Sequence, residues 1–187
     1  MPFDAKHSMT NHRYCAIGLS NPKTPSNVGS VLRAGVCLGA DEIFYTGVRY
    51  DRAQRFNTNT TSSDITTPLT HVTDIAEAAK LANPDVKTVC VELVENATPL
   101  PDFIHPPQAL YIFGPEDYNL SQDTIDESDY VVFIPVQQCL NLSATVNILL
   151  YDRMIKNSAP RTKTEYNNMI RSSRDCRNNL RVTPDVA

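Results

Sequence analysis

Residues 130–143, Tyr-Val-Val-Phe-Ile-Pro-Val-Gln-Gln-Cys-Leu-Asn-Leu-Ser, continuing as Ala-Thr-Val-Asn-Ile-Leu-Leu-Tyr-Asp to Asp152, decide how the chain folds. Tyr130 to Phe133 is a short apolar run of strand length. Pro135 cannot donate to a strand ladder, so pairing stops at Ile134-Pro135 and a polar loop follows. From Ser143 to about Ile155 the spacing changes to that of a helix, with Val146, Leu149, Leu150 and Met154 on one face. The stretch is therefore a strand, a polar loop at the strand's carboxyl end, and a helix returning over the sheet.

Working outward, the same grammar recurs. Tyr14 to Leu19 is apolar and ends in Ser20-Asn21-Pro22-Lys23-Thr24-Pro25, a loop that two prolines keep out of any ladder. Val28, Val31, Leu32, Val36 and Leu38 then keep helical spacing as far as Gly39, with Ser26 or Asn27 expected as the cap. Asp41 to Thr46, Thr88 to Leu93 and Ala109 to Phe113 are further strands. Asp74 to Leu81 and Leu120 to Glu127 are short helices, the second capped by Asn119 or Ser121. Residues 47–72 read as a long polar loop, and a loop of that length inside a domain is usually functional. The sum is an α/β domain with a mostly parallel sheet of about five strands flanked by helices.

Composition narrows the class. A chain of 187 residues, 41% hydrophobic and 20% charged, suits one globular domain. No run reaches the ~20 apolar residues of a membrane span, and the start lacks the apolar core of a signal peptide, so a cytoplasmic location is expected. The five cysteines are scattered with no CxxC, which signals neither a disulfide framework nor a zinc cluster; most are expected as small buried thiols. His7, His12, His71 and His105 have no metal spacing, and no metal is expected. The charge is uneven: residues 151–187 hold eight basic against four acidic side chains, although the whole chain is at −4. Residues 1–13 read as a leader, 14–157 as the domain, and 158–187 as a basic tail with a weakly anchored helix over Lys163–Leu180. Arg49, Arg52 and Arg55, beside the Thr- and Asn-rich run 57–61, form a second basic group, suited either to phosphate contacts or to a solvated surface with no partner.

In open parallel sheets ligands bind beyond the carboxyl ends of the strands. Those positions hold no GxGxxG, no GxxxxGK[ST] and no GxSxG, which removes the ordinary dinucleotide, P-loop and serine-hydrolase readings. They do hold Asn27-x-Gly29 with Arg33, Phe113-Gly114-Pro115-Glu116 with Leu120, and Ile134-Pro135 leading to Leu140-Asn141-Leu142-Ser143. Three such segments in this order resemble the motifs of the SpoU/TrmH group of the SPOUT RNA methyltransferases, over about residues 14–156.

The resemblance implies a C-terminal deep trefoil knot, a homodimer formed through the knot region, and S-adenosylmethionine as cofactor. The implied reaction is methyl transfer to a ribose 2′-hydroxyl of RNA, with tRNA favoured over rRNA. Arg33 matches the family's catalytic arginine, and a guanidinium suits charge stabilisation better than proton abstraction. Asn27, Glu116 and Asn141 match the residues that accompany it. Leu93, Gly114, Ile134, Cys139 and Leu140 match the cofactor pocket. The chain departs from the pattern at Asn119, where glycine is usual, at Cys139, where serine is usual, and in a shortened loop between Pro135 and Cys139. Those departures keep a second reading open, a non-catalytic RNA-binding or assembly factor that retains the fold.

Overall fold

The structure is a computed structural model that describes residues 13–55, 67–174 and 177–182; the run 57–61, His7, His12 and Cys176 lie outside the described residues. Cys15–Leu19 forms β1, with all five residues buried. Alternation sorts its side chains: Cys15, Ile17 and Leu19 point into one core layer, Ala16 into the other. The first layer is completed by Val28, Val31 and Leu32 of α1 (Pro25–Leu38) and by Val146, Leu149 and Leu150 of α5 (Leu142–Lys156). The second is completed by Ile75 and Ala79 of α3 (Ile75–Ala82). With helices on both faces the sheet has no wet side, so its strands read as continuous apolar runs.

The remaining strands are β2 (Glu42–Tyr45), β3 (Leu69–His71), β4 (Lys87–Val91), β5 (Thr98–Pro99), β6 (Ala109–Phe113) and β7 (Tyr130–Phe133). They pair in the order β3-β2-β1-β6-β4-β7-β5, and every pairing is parallel. The chain thus reaches the far edge at β5 before returning to place β6 between β1 and β4, and then β7 between β4 and β5.

Among the described residues the sheet has seven strands where about five were expected. The two additions are the edge strands β3 and β5, of three and two residues, too short to show alternation. Residues 47–72 are accordingly not a plain loop: α2 (Arg49–Gln54) and β3 fall within them. Helix α1 begins a residue earlier than its expected caps, with Thr24 at the N-cap and Pro25 in the first turn. Pro25 is tolerated there because its missing N–H would be unpaired in any case. Helix α1 ends at Gly39 in the left-handed region, φ 80°, whose N–H bonds the Gly35 carbonyl. The short helix α4 (Gln122–Asp126) is capped by Ser121, and α3 by Asp74. Cys37, expected buried, is exposed on α1, while Cys15 and Cys90 are buried.

The chain divides into two units, 1–157 and 158–187. In the second, α6 (Lys163–Ser173) is held by a reciprocal capping box between Thr162 and Glu165, and it ends short of Leu180. Its apolar residues Tyr166, Met169 and Ile170 are exposed. No described helix is long and apolar enough to cross a membrane.

At the amino-terminal side of β6 a polar network is buried. His105, 4% exposed, is hydrogen-bonded to the Tyr111 hydroxyl through Nδ1 (2.7 Å) and to the Asp152 carboxylate through Nε2 (2.8 Å). Arg153 and Lys156 stand on the same helix as Asp152, and Lys156 also pairs with that carboxylate at 2.8 Å. Burial lowers the His105 pKa from its usual 6.5, against the opposing pull of Asp152, and the two cations add to the lowering. The unfolded chain therefore binds the proton more readily than the native one. Stability conferred by neutral His105 is fully present above pH 6.5 and is lost as the pH falls through the lower native value. Urea unfolding from pH 7.5 to about 5 is expected to show a falling midpoint in wild type and a flatter one in His105→Gln. Parallel profiles for the two proteins would contradict this assignment.

Candidate functional site

A cleft of about 280 Å³ opens where the loops after β1, β4, β6 and β7 meet at the carboxyl edge of the sheet. Glu116, just beyond β6, anchors it. Its Oε2 accepts the Lys23 N–H at 2.8 Å, and its Oε1 accepts the Thr24 N–H at 2.9 Å and the Asn27 amide at 3.0 Å. The Asn27 carbonyl oxygen in turn accepts the Asn141 amide at 3.1 Å. The Asn141 carbonyl oxygen caps α5 by accepting the Ser143 N–H at 2.9 Å and the Ser143 hydroxyl at 2.7 Å. One hydrogen-bonded relay, Glu116 to Asn27 to Asn141 to Ser143, thereby joins three loops that are far apart in the chain.

Asn27 is in the first turn of α1, where an amide with nothing to do would cap the helix; here it is drawn off to bridge two loops. Partial burial raises the Glu116 pKa, but the bonds from Asn27 and from the N–H groups at the start of α1 outweigh it and hold the carboxylate below its ordinary range. A fixed anion beside a helix amino terminus is the expected electrostatic arrangement.

The rest of the lining divides by chemistry. Leu93, Ile134 and Leu140 give an apolar wall, and Cys139 adds an exposed thiol. Gly114 leaves its stretch of backbone bare: a methyl group there would stand 3.3 Å from Glu92 Oε2 and 3.4 Å from the Leu120 nitrogen. Glu92, directly after β4, accepts the Leu93 N–H through Oε1 (2.9 Å) and the Leu120 N–H through Oε2 (3.0 Å), tying the β4 end to the loop after Gly114.

Of the residues singled out from sequence, Asn27, Leu93, Gly114, Glu116, Ile134, Cys139, Leu140 and Asn141 all line this cleft. Arg33 does not: it is exposed on α1 and outside the lining. Arg49, Arg52 and Arg55 lie on or at the end of α2 rather than in a loop. Arg49 is already engaged, its Nη2 bonding both Asp117 carboxylate oxygens at 2.7 and 2.8 Å, with Lys23 on the same carboxylate at 3.3 Å. Arg52 and Arg55 are exposed.

Sequence reasoning missed Glu92. The strand was expected to run to Leu93 but ends at Val91, so Glu92 was counted inside it. A charged residue closing the apolar run Val89–Val91 was the available signal. Among the described residues no group of three His, Cys, Asp or Glu is placed to hold a metal ion.

Fold and cleft together define the class: an α/β protein with a wholly parallel sheet among the described residues and a cleft built from cross-linked loops at its carboxyl edge. Residues 14–151 match the SpoU rRNA Methylase family, and the chain belongs to that family. No curated protein matches it in sequence. Among solved structures it is similar to the SpoU methyltransferase AviRb from Streptomyces viridochromogenes, in complex with the cofactor AdoMet, at 23% identity and TM-score 0.63. That likeness covers 78% of this chain and 61% of the Streptomyces one, so the chain spans about three fifths of its length. A TrmH/SpoU tRNA modifying enzyme of A. aeolicus is similar at 14% identity and TM-score 0.61, over 86% of this chain and 87% of that one. A third, from work on the 2-OH methylation of C/U34 on tRNA, is similar at 17% identity and TM-score 0.60, over 77% and 96%. At these identities the similarities speak for the fold.

Proposed function

We propose that the chain is an S-adenosylmethionine-dependent RNA methyltransferase acting on a ribose 2′-hydroxyl, with tRNA favoured over rRNA. The observation that carries this reading is the relay from Glu116 through Asn27 to Asn141, which gathers all three family motifs around one cleft. The lining residues suit the cofactor: Leu93, Ile134 and Leu140 offer the apolar walls an adenine needs, and Gly114 adds no side chain to the cleft. S-adenosylmethionine would supply there an electrophilic methyl group on sulfur.

The chain's own residues divide the remaining work. Asn27, Glu116 and Asn141 fix the loops, so that the cleft is organised before the ligands arrive. A ribose hydroxyl is a poor nucleophile that must lose its proton as it attacks, and Arg33 is the group assigned to stabilise the developing charge. Because Arg33 stands outside the lining of its own cleft, the reading also requires a homodimer that completes the site. A surface suited to this exists: Ile148, Tyr151 and Ile155 form an exposed stripe on α5, bordering a groove that shares Ile134 with the cleft. We place the trefoil knot where β6 and β7 are interleaved with β4 and β5, and RNA phosphates on Arg52, Arg55 and the basic tail. A cytoplasmic location belongs to the same proposal.

Two measurements test this. Incubation with methyl-labelled cofactor and total tRNA or rRNA, followed by digestion to nucleosides, is expected to give a 2′-O-methylnucleoside that Arg33→Ala reduces by roughly 10²-fold or more. No labelled product from either pool would favour the binding-factor reading. In sedimentation the wild-type chain is expected as a dimer and Ile148→Asp, which puts a charge on the stripe, as a monomer. A monomeric wild type would remove the dimer from the account.

A further inference from the structure

The cleft carries two carboxylates, Glu92 and Glu116, while its described lining includes no lysine, arginine or histidine. Glu116 has three donors and closes the loop relay. Glu92 is different. Its oxygens accept one backbone N–H each, from Leu93 and Leu120, which leaves accepting capacity on both, and among the described residues no cation pairs with its charge. It packs against the side-chain-free face of Gly114 and is part of the cleft lining.

An anion placed so, in a partly dry cleft, has a physical consequence: the cleft favours a ligand bearing positive charge over a neutral one of the same shape. We propose that Glu92 is a specificity-determining residue that distinguishes the sulfonium cofactor from its demethylated thioether product by charge, a proposal that rests on the methyltransferase reading above. S-adenosylmethionine has a sulfonium, an ammonium and a carboxylate, a net charge of +1. When its methyl passes to the ribose oxygen, the S–CH3 electron pair stays on sulfur, the new O–CH3 bond forms, and the hydroxyl proton leaves to solvent. The product S-adenosylhomocysteine has net charge zero. One unit of attraction to the cleft is thus lost in the step that makes the product, and spent cofactor is exchanged for fresh. Arg33 is present in both wild type and the Glu92 variant, so a comparison of the two isolates the charge at Glu92.

Calorimetric titration of the full chain with each ligand separately, in wild type and in Glu92→Gln, tests the proposal without recourse to turnover. Wild type is expected to bind S-adenosylmethionine about ten-fold more tightly than S-adenosylhomocysteine. In the variant that ratio is expected to fall to about two or less, chiefly by loss of affinity for the charged ligand. An unchanged ratio would overturn the proposal, as would an equal weakening of both ligands, the signature of a hydrogen bond to a group they share. Should Glu92→Gln fail to fold, the wild-type ratio is measured instead from about 0.05 to about 0.5 M salt, where it is expected to contract as the charge is screened. A salt-independent ratio would also overturn it. Binding of neither ligand by wild type would defeat the cofactor reading itself, an outcome distinct from cofactor binding without discrimination.

Discussion

Arg153→Met is expected to lower folding stability by roughly 3–5 kcal/mol, the largest effect of any single substitution considered for this chain. Arg153 is 6% exposed in the second half of α5. Its Nη1 donates to the Pro106 carbonyl at 2.7 Å and to the Tyr111 hydroxyl at 3.0 Å. Its Nη2 donates to the Pro107 carbonyl at 2.9 Å and the Tyr14 carbonyl at 3.0 Å. One guanidinium therefore ties α5 to the entry of β1 and to the segment leading into β6. Methionine fills much of the volume but donates nothing, so four acceptors each lose a donor; the Tyr14 carbonyl keeps the Ala109 N–H and the Tyr111 hydroxyl keeps His105, while the Pro106 and Pro107 carbonyls lose the guanidinium outright. Arg153→Lys is expected to recover only part of the loss, because an ammonium cannot reproduce the planar fork. For a chain of this size the methionine variant corresponds to a fall of roughly 10 °C in Tm. A fall of only a degree or two would mean that water or a rearranged loop replaces the guanidinium.

Glu116→Ala is expected to weaken cofactor binding by roughly 10²-fold, a loss greater than its effect on folding. The substitution frees the Lys23 and Thr24 N–H groups and the Asn27 amide together. Asn27 then has no fixed orientation from which to accept the Asn141 amide, and the loop after β7 loses its link to α1. None of the relay residues belongs to the buried apolar core, so an ordered fold with a disordered cleft is the predicted phenotype. Glu116→Gln keeps one acceptor oxygen and is expected to fall between. Cofactor affinity by calorimetry, read beside urea unfolding, separates the two effects. Equal affinities for wild type and Glu116→Ala would show that the relay does not organise the cleft.

Most of the site was legible because strand ends are legible. Ser20 to Pro25, Gly114-Pro115-Glu116 and Ile134-Pro135 all break apolar runs, and ligand clefts in parallel sheets lie where such runs end. What joins the loops was not legible. Asn27 could be expected as a helix cap from its position, but that its amide reaches Glu116 and Asn141 depends on loop conformations no spacing encodes. Glu92 was hidden by a strand boundary misplaced by two residues, within the ordinary uncertainty of such boundaries. The edge strands β3 and β5 were missed for want of length.

The buried group of His105, Tyr111, Asp152 and Arg153 escaped for another reason. Each residue reads singly as a loop histidine, a strand tyrosine or a charge on a helix, and only the sheet order brings them together. Arg33 shows the converse. It was the residue most easily assigned from its motif, yet the single chain leaves it outside the cleft it was expected to serve. Its position is the reason the dimer matters to the proposed reaction.

The proposed reaction is transfer of a methyl group from S-adenosylmethionine, in this cleft, to a ribose oxygen of RNA. The decisive measurement is mass-spectrometric mapping of ribose methylation in tRNA and rRNA from cells with and without the protein. A discrete 2′-O-methylated nucleotide is expected in tRNA, absent without the protein and not restored by Arg33→Ala. Identical ribose methylation in both RNA pools, with and without the protein, would overturn the proposal.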